Sequence, residues 1–113
     1  MAEEAKYDVI IIGGGAAGLA ASIYAVRAMM KTLVIERQAI GGQILYTGEI
    51  ENYPGFPEPI GGPELAMLYE KQALRFGVEF EYDTITRLEL DGPIKTVIGE
   101  EAEYTAKTVI ITS

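Results

Sequence analysis

The stretch that decides the fold is YDVIIIGGGAAG, residues 7–18, which is followed by an apolar segment and then by TLVIE, residues 32–36. The first six residues form a mostly β-branched run, which is typical of a buried parallel strand, and the G-x-G-x-x-G sequence after it is typical of a tight turn that opens a helix. The spacing therefore predicts a strand–turn–helix–strand unit over residues 7–36 and an α/β fold with a central parallel sheet.

The glycines and the two alanines of this turn predict a phosphate-binding site. Gly13 permits the tight turn, Gly15 lets a pyrophosphate approach the backbone, and Gly18 lets the helix pack closely on the strand. The helix begins at Ala16 and Ala17, where free N–H groups and the positive end of the helix dipole favour an anion. We therefore expect a dinucleotide here, and a purely structural glycine turn is the weaker alternative.

The acidic residue at the end of the second predicted strand indicates which dinucleotides fit. Glu36 lies 18 residues after Gly18, close to the roughly 20 residues expected for the acid that accepts hydrogen bonds from ribose hydroxyls. A carboxylate disfavours a 2′-phosphate, so NADP is not expected at this position. FAD and NAD both remain compatible with these residues.

Composition excludes several classes of function. The chain has 113 residues, a net charge of -8, no cysteine and no histidine. A negative chain is a poor partner for nucleic acid, and the missing residue types exclude a thiol nucleophile, a redox dithiol and histidine-based catalytic or metal sites within these residues. No apolar run is long enough for a membrane span, and the start is polar, so we expect a cytoplasmic protein without membrane contact and without a metal.

Periodicity predicts two helices separated by a long irregular segment. The first helix is expected over residues 16–30, and residues 37–62 are rich in glycine, proline and aromatic residues, which favours a packed loop over a flat ligand. The second helix is expected to begin at residues 62–64 and to end before Gly77. The predicted buried stripes are Leu19, Ile23, Val26 and Met30 in the first helix, and Leu65, Leu68, Tyr69, Ala73 and Phe76 in the second.

The last third of the chain reads as five strands. Residues 78–82 alternate in polarity and predict a third strand of the sheet. Three short strands near residues 85–90, 94–98 and 102–106, joined by glycine-containing turns, predict a three-stranded antiparallel meander. Residues 108–112 are again continuously apolar, so we expect a separate strand that returns to the parallel sheet.

The sequence resembles the N-terminal part of the low-molecular-weight thioredoxin reductases over nearly its whole length. The pairing of Gly-Gly-Gln with Glu-Asn-x-Pro-Gly is much more specific than the glycine turn alone and separates this family from NAD-dependent Rossmann dehydrogenases. Local departures occur at Ala16, Leu45 and Tyr46. The matching segments are GGGAAG (13–18), GGQ (41–43), EIENYPGF (49–56), GPEL (62–65) and AKTVII (106–111).

The resemblance implies a Rossmann-like FAD-binding domain, here a single partial domain over residues 1–113, with a parallel sheet flanked by helices and an antiparallel meander. It implies a set of FAD-binding residues, with Arg37 adjoining the acid, and no catalytic residue in this stretch. In order, they are Gly13, Gly15, Ala16, Ala17 and Gly18 at the pyrophosphate, Glu36 and Arg37 at the ribose, Gly42, Gln43, Thr47 and Asn52 towards the flavin, and the backbone of Thr84 and Ile85 at the adenine.

In this family, electrons pass from NADPH to flavin and then to a disulfide, but the NADPH domain with its Cys-x-x-Cys centre is absent from these residues. We therefore expect the FAD-binding portion of a flavoprotein oxidoreductase that does not turn over by itself. The alternative is a stand-alone FAD- or ADP-binding module without catalytic turnover, and an NAD-binding Rossmann domain is the third reading. The resemblance also suggests a homodimer.

Overall fold

The computed structural model describes residues 4–113, which form two α-helices, one short 3-10 helix and eight strands. The helices are α1 (Ala16–Arg27) and α2 (Gly62–Phe76), and the 3-10 helix is Gly42–Tyr46. The strands are β1 (Tyr7–Ile12), β2 (Thr32–Glu36), β3 (Glu49–Ile50), β4 (Ile60–Gly61), β5 (Glu79–Tyr82), β6 (Ile85–Glu89), β7 (Lys95–Gly99) and β8 (Glu103–Ile111).

Six strands form one mixed sheet with the order β5-β2-β1-β8-β7-β6. β1 pairs in parallel with β2 on one side and with β8 on the other, and β5 continues the parallel part beyond β2. The β1–α1–β2 crossover therefore places β2 next to β1, as the handedness rule for such units requires. The predicted α/β fold with a parallel sheet flanked by helices is confirmed.

The carboxyl ends of the three central parallel strands meet at one edge of the sheet. Ile12 at the end of β1 is in register with Ile35 of β2 and with Ile111 of β8. The chain leaves β1 in one direction towards β2 and returns on its other side as β8, so the strand order reverses at this point. Ligands of open α/β sheets bind at such a reversal, outside the carboxyl ends of the strands.

The prediction of separate strands at residues 102–106 and 108–112 is wrong, because β8 is one continuous strand. Its first part pairs antiparallel with β7, with Val97 opposite Tyr104, and its second part pairs parallel with β1. Ala106 lies at the overlap and is opposite both Lys95 and Tyr7. The change from alternating to continuously apolar sequence therefore reflects a change of pairing partner and not a break in the strand.

Both faces of the parallel strands are covered, which explains their continuously apolar sequences. α1 and α2 cover one face. On the other face, Ile85 and Leu88 of β6 pack against the second buried cluster, which also contains Leu33 of β2. β6 and β2 lie on opposite sides of β1 in the strand order, so the β6–β7 hairpin curls towards this face of the sheet. The buried clusters are Val9, Ile11, Leu19, Val34, Ile40, Ala73 and Val78 on the first face, and Tyr7, Ile10, Leu33, Ile35, Val97 and Ala106 on the second.

The first helix ends three residues earlier than its periodicity predicts. Met29 has φ 68°, in the left-handed region, and the N–H of Met30 donates to the carbonyl of Ala25 at 3.1 Å, which is the bond that closes a helix C-terminus. Met30 therefore lies outside α1 and is 42% exposed. Glycine is the usual residue at such a position, so the sequence carried no stop signal here.

The second helix begins and ends as predicted, with a proline in its first turn and Gly77 in the left-handed conformation at φ 97°. Leu65 and Ala73 of the predicted stripe are buried, and Tyr69 packs against the core. Leu68 and Phe76 are 45% and 37% exposed, so this part of the prediction is wrong. These two side chains lie towards the margin of the apolar face, beyond the strip that the sheet covers.

The segment between β2 and α2 is more ordered than the predicted irregular loop. It contains the 3-10 helix and a two-residue antiparallel pair, β3 with β4. The N–H of Gly62 donates to the carbonyl of Gly48 at 2.9 Å and attaches the segment to the start of α2. Within residues 4–113, no helix is long and apolar enough to cross a membrane.

Candidate cofactor site

Two glycines of the turn after β1 are required by packing. Gly13 has φ +116°, and a Cβ on it would lie 2.6 Å from Oγ1 of Thr112, so a larger residue would be strained and crowded. A Cβ on Gly18 would overlap the carbonyl oxygen of Gly13. These contacts bring the first turn of α1 directly against the end of β1, and they fix where the N-terminus of α1 lies.

Gly15 differs, because the space next to its Cα is open. A Cβ there would meet only the Cα of Gly42, at the ordinary contact distance of 3.9 Å. Gly15 is the N-cap of α1, with φ -80°. Within the described residues, no side-chain hydrogen bond caps this end of the helix, and the first turn of α1 contains no acidic residue. Ala16 and Ala17 are exposed. The N-terminus of α1 therefore presents free N–H groups to an open space.

Glu36 fastens the glycine turn to the end of β2. Its Oε1 accepts a hydrogen bond from the N–H of Gly14 at 2.8 Å, and its Oε2 accepts one from the N–H of Gln38 at 2.6 Å. An ionised carboxylate oxygen can accept more than one hydrogen bond, so both oxygens keep capacity for a ligand hydroxyl. The predicted ribose-binding acid is thus held in a fixed position beside the turn.

A second pair of glycines packs against the first turn from the other side. The N–H of Gly41 donates to the carbonyl of Gly14 at 2.7 Å. Gly41 and Gly42 have φ 114° and 56°, and a Cβ on Gly42 would lie 3.0 Å from the Cα of Gly15. Side chains at these positions would separate the two backbones, so the Gly-Gly pair is what brings the following 3-10 helix close to the N-terminus of α1.

Two adjoining cavities of about 300 and 380 Å³ run along this edge of the sheet and share part of their lining. The two cavities form one groove, which is lined by eight of the predicted site residues and by Thr112 and Ser113. The shared residues are Gly13, Glu36, Arg37 and Ser113; the first cavity adds Gly15, Gly42 and Gln43, and the second adds Thr84 and Ile85.

Other predicted residues lie outside the lining of both cavities. Ala16 and Ala17 flank the groove at the start of α1, and Gly18 is buried in the contact with β1. Thr47 and Asn52 are exposed beyond the 3-10 helix, and the hydroxyl of Thr47 donates to the carbonyl of Gln43 at 3.4 Å. The structure therefore places Thr47 in a local turn contact rather than in the groove.

Charge is unevenly distributed in the groove. Among the described lining residues, Arg37 is the one cation, and Glu36 and Asp83 are the carboxylates. Burial works to raise the pKa of Asp83, but hydrogen bonds from the Tyr104 hydroxyl and from backbone N–H groups outweigh it and lower the pKa. Asp83 is therefore a buried anion next to the predicted adenine-binding residues, and the resemblance gave it no role.

Three residues that contribute to this site are not among the predicted site residues. Gly14 donates to Glu36, Thr112 contacts the glycine turn, and Asp83 holds the turn before β6. The position of Thr112 at the end of a buried parallel strand was a usable signal, since carboxyl ends of neighbouring strands share an edge. The role of Asp83 depends on residues 18–21 positions away and left no local pattern.

A larger cavity of about 600 Å³ lies at the opposite edge of the sheet. Its lining includes Lys6, Tyr7, Lys31 and Lys107, at or near the amino ends of β1 and β2 and beside β8, and it contains none of the predicted site residues. Size alone would favour this cavity. The groove at the carboxyl edge is the better candidate because it combines an uncapped helix N-terminus, a fixed acid and the reversal of strand order.

Comparison with known proteins identifies the family of the chain. The family model for pyridine nucleotide-disulphide oxidoreductases matches residues 7–113. The chain therefore belongs to the pyridine nucleotide-disulphide oxidoreductase family.

Within that family, the similar proteins are thioredoxin reductases. The chain is 52% identical to the enzyme of Peptoclostridium acidaminophilum over 96% of its own length and 34% of that protein. It superimposes on the thioredoxin reductase of Lactococcus lactis with a TM-score of 0.89 and 48% identity, covering 94% of this chain and 35% of that one. The T. acidophilum enzyme gives a TM-score of 0.90 at 31% identity, with 97% and 36% covered. The chain thus spans about a third of these relatives.

Proposed function

We propose that this chain binds FAD and is the FAD-binding portion of a thioredoxin-reductase-like flavoprotein oxidoreductase. The observation that carries the proposal is the space at Gly15: packing does not require a glycine there, yet the uncapped N-terminus of α1 faces the groove at that point. A glycine that packing does not need, beside free N–H groups, is what close approach of a pyrophosphate requires.

The order of residues along the groove supports an extended dinucleotide. Gly42 and Gln43 lie at one end and Thr84 and Ile85 at the other, with Glu36 in the shared lining between them. We assign the first pair to the flavin side, Glu36 to the hydroxyls of the adenosine ribose, and the second pair to the adenine. Arg37 offsets part of the phosphate charge. Thr47 and Asn52 would extend the flavin side.

The groove does not distinguish FAD from NAD. We choose FAD because of the proteins to which the chain is similar. The similar proteins named above are thioredoxin reductases, and the Gly-Gly-Gln segment that approaches the glycine turn is part of the resemblance to them. An NAD-binding domain needs the same glycine turn and the same acid. NAD therefore remains the competitor that an experiment must exclude.

When bound in the whole protein, FAD would supply the redox chemistry that links NADPH to a disulfide. The residues of this chain bind and orient that cofactor; with no cysteine in the sequence, they supply neither sulfur of the disulfide. The α1 N–H groups would hold the pyrophosphate, and Glu36 would accept the ribose hydroxyls while staying bonded to Gly14. We assign no catalytic residue to this chain.

The test is a titration of purified protein with FAD, NAD and ADP, followed by the visible spectrum, flavin fluorescence and thermal unfolding. We expect FAD and ADP to raise the midpoint of unfolding and NAD to have a much smaller effect, because a ligand that binds the folded state stabilises it by mass action. Stabilisation by NAD alone, with none by FAD, would overturn the proposal in favour of an NAD-binding domain.

A stand-alone FAD- or ADP-binding module is the second candidate, because every residue assigned above binds the cofactor and none is catalytic. The two candidates predict the same FAD titration and differ in turnover. A flavin-loaded protein that oxidises no NADPH, alone or with any further polypeptide encoded in the same gene, supports the module. NADPH oxidation that depends on such a polypeptide supports the oxidoreductase.

We also propose a homodimer that covers the outer surface of α1 and α2. Tyr24 of α1 is 70% exposed and Phe76 of α2 is 37% exposed, and both line a groove of about 460 Å³ between the helices. Burial of these rings would favour association. Light scattering coupled to gel filtration would test the dimer, with Tyr24→Glu as the disrupting variant. The cytoplasmic location expected from the sequence stays a prediction.

A further inference from the structure

The turn between β5 and β6 is held in place by the side chain of Asp83. Its Oδ2 accepts hydrogen bonds from the hydroxyl of Tyr104 at 2.9 Å and from the N–H of Ala102 at 3.2 Å, and its Oδ1 accepts one from the N–H of Glu101 at 3.1 Å. All three donors belong to the β7–β8 turn and the start of β8. Asp83 is only 6% exposed, so one buried carboxylate joins two turns.

Backbone hydrogen bonds also hold Asp83 and the residue that follows it. Its N–H donates to the carbonyl of Glu36 at 3.1 Å, which connects the turn to the ribose-binding acid. The carbonyl of the next residue, Thr84, accepts a hydrogen bond from the N–H of Glu100 at 3.0 Å. Thr84 is thus held between the end of β2 and the β7–β8 turn, and the orientation of the Thr84–Ile85 peptide depends on these contacts.

The β7–β8 turn leaves room for the Asp83 carboxylate. A Cβ on Gly99 would overlap the Asp83 carboxylate, so a glycine at this position leaves room for it. The N–H of Gly99 donates to the carbonyl of Ala102 at 2.9 Å, which closes the turn and directs the following N–H groups towards Asp83. This is a cradle of backbone donors around a single anion.

The carboxylate is unusual for its surroundings. The chain carries a net charge of -8, and the described residues give Asp83 no ion pair. Burying an anion without a cation is costly unless several hydrogen bonds compensate. Here the hydrogen bonds do compensate, since they lower the pKa of Asp83, and the ionised carboxylate therefore holds the two turns together.

We infer that Asp83 is the positioning residue for the adenine end of the site: it fixes the Thr84–Ile85 backbone so that its peptide groups meet the edge of the base. This inference rests on the proposed function and adds a residue that the resemblance does not assign. Asp83 does not itself touch the ligand in this scheme. It acts through the peptide that follows it, and Tyr104 and Gly99 act through Asp83.

The test measures base selectivity, because a fixed peptide reads the pattern of donors and acceptors on the base. The backbone of residues 84 and 85 offers N–H donors and C=O acceptors; a donor and an acceptor side by side suit N1 and the 6-amino group of adenine, whereas hypoxanthine presents the reverse pattern. Affinities for ADP and IDP would be measured by calorimetry for the wild type and for Asp83→Asn. We expect the wild type to prefer ADP, and the variant to lose about tenfold of that preference.

Controls separate base selectivity from a general loss of structure. Asp91→Asn removes an exposed carboxylate from the β6–β7 turn and is expected to leave the ADP:IDP ratio unchanged. Tyr104→Phe removes one donor from Asp83 and is expected to lower the ratio by a smaller factor. Tyr104→Phe also tests the inference if Asp83→Asn does not fold, because it leaves the Asp83 carboxylate and its backbone donors in place.

The outcomes distinguish this inference from the proposed function. Wild-type protein that binds neither FAD nor ADP overturns both. Wild-type protein that binds FAD but does not discriminate ADP from IDP, or a folded Asp83→Asn variant with the wild-type ratio, overturns the inference and leaves the proposed function standing. An unchanged ratio in Tyr104→Phe, where Asp83→Asn is unfolded, likewise overturns it.

Discussion

Replacing Gly15 with alanine should separate binding from folding. The residue has φ -80° and ψ -168°, which alanine adopts without strain, and the new methyl group would meet only the Cα of Gly42 at 3.9 Å. Gly→Ala at a compatible position stabilises a protein by about 0.4–1 kcal/mol through the unfolded state. Alanine is a poorer N-cap residue than glycine, which offsets this gain, so we expect an unfolding midpoint close to that of the wild type.

Binding, by contrast, should weaken. The methyl group occupies the space through which a pyrophosphate would reach the N–H groups of α1, and hydrogen bonds to a charged group contribute about 1.5–3 kcal/mol each. Loss of one such bond corresponds to a roughly ten- to hundredfold weaker affinity for FAD and ADP. Flavin fluorescence titration measures the affinity, and circular dichroism on the same sample follows thermal unfolding.

Two other Gly→Ala variants provide matched controls. A Cβ on Gly48 meets nothing within 4 Å, and this exposed residue lies outside the groove, so Gly48→Ala should change neither property. A Cβ on Gly18 overlaps the carbonyl of Gly13, and Gly18→Ala should lower stability by about 1–3 kcal/mol. If Gly15→Ala binds FAD as tightly as the wild type, the glycine turn is not a pyrophosphate site and the reasoning fails.

Three further predictions concern the core, the acid and the phenols. Leu19→Ala should lower the free energy of unfolding, measured by urea denaturation, by about 2–5 kcal/mol, because Leu19 is fully buried. Leu90→Ala, at a position that is 47% exposed, should lower it far less. Equal losses would contradict the assigned core. Glu36→Gln should lower the preference for AMP over 2′,5′-ADP, which differ only in the 2′-phosphate, by about tenfold in calorimetry, and an unchanged preference would remove Glu36 from the ribose site. Burial, helped by carboxylate partners, raises the pKa of Tyr7 and Tyr104 to about 12, above the unfolded value of about 10. Their contribution to stability is therefore complete below about pH 10 and is lost as the pH rises through about 12. Tyr7→Phe should lose less of its thermal stability at alkaline pH than the wild type does. An identical loss would be evidence against this cause.

The parallel core was predictable because its signals are local and agree with one another. The apolar run of β1, the glycine turn and the second apolar run each have a fixed length and spacing, and together they allow few arrangements. The start of α2 at Pro63 and its end at Gly77 were predictable for the same reason, since proline and glycine restrict or release φ at those positions.

The errors arose where a tertiary contact replaces a local signal. The stop of α1 at Met29 uses a left-handed methionine, which has no sequence signature, and the continuity of β8 through Ala106 depends on two different partner strands. The same applies within the site. The hydrogen bond from Gly14 to Glu36 spans 22 positions, and the one from Tyr104 to Asp83 spans 21. Such contacts follow from the fold and cannot be read from spacing.

The exchange of partners along β8 explains why the groove has two halves of different origin. The second part of β8 extends the parallel sheet and brings Thr112 to the glycine turn, so the half proposed for the pyrophosphate is built by the parallel strands. The first part pairs with β7, and the turn between them reaches Asp83 at the end of β5. The antiparallel hairpin therefore completes the half of the groove that holds Thr84. The two halves are joined through one uninterrupted strand, so a ligand that contacts both halves would depend on the continuity of β8 through Ala106.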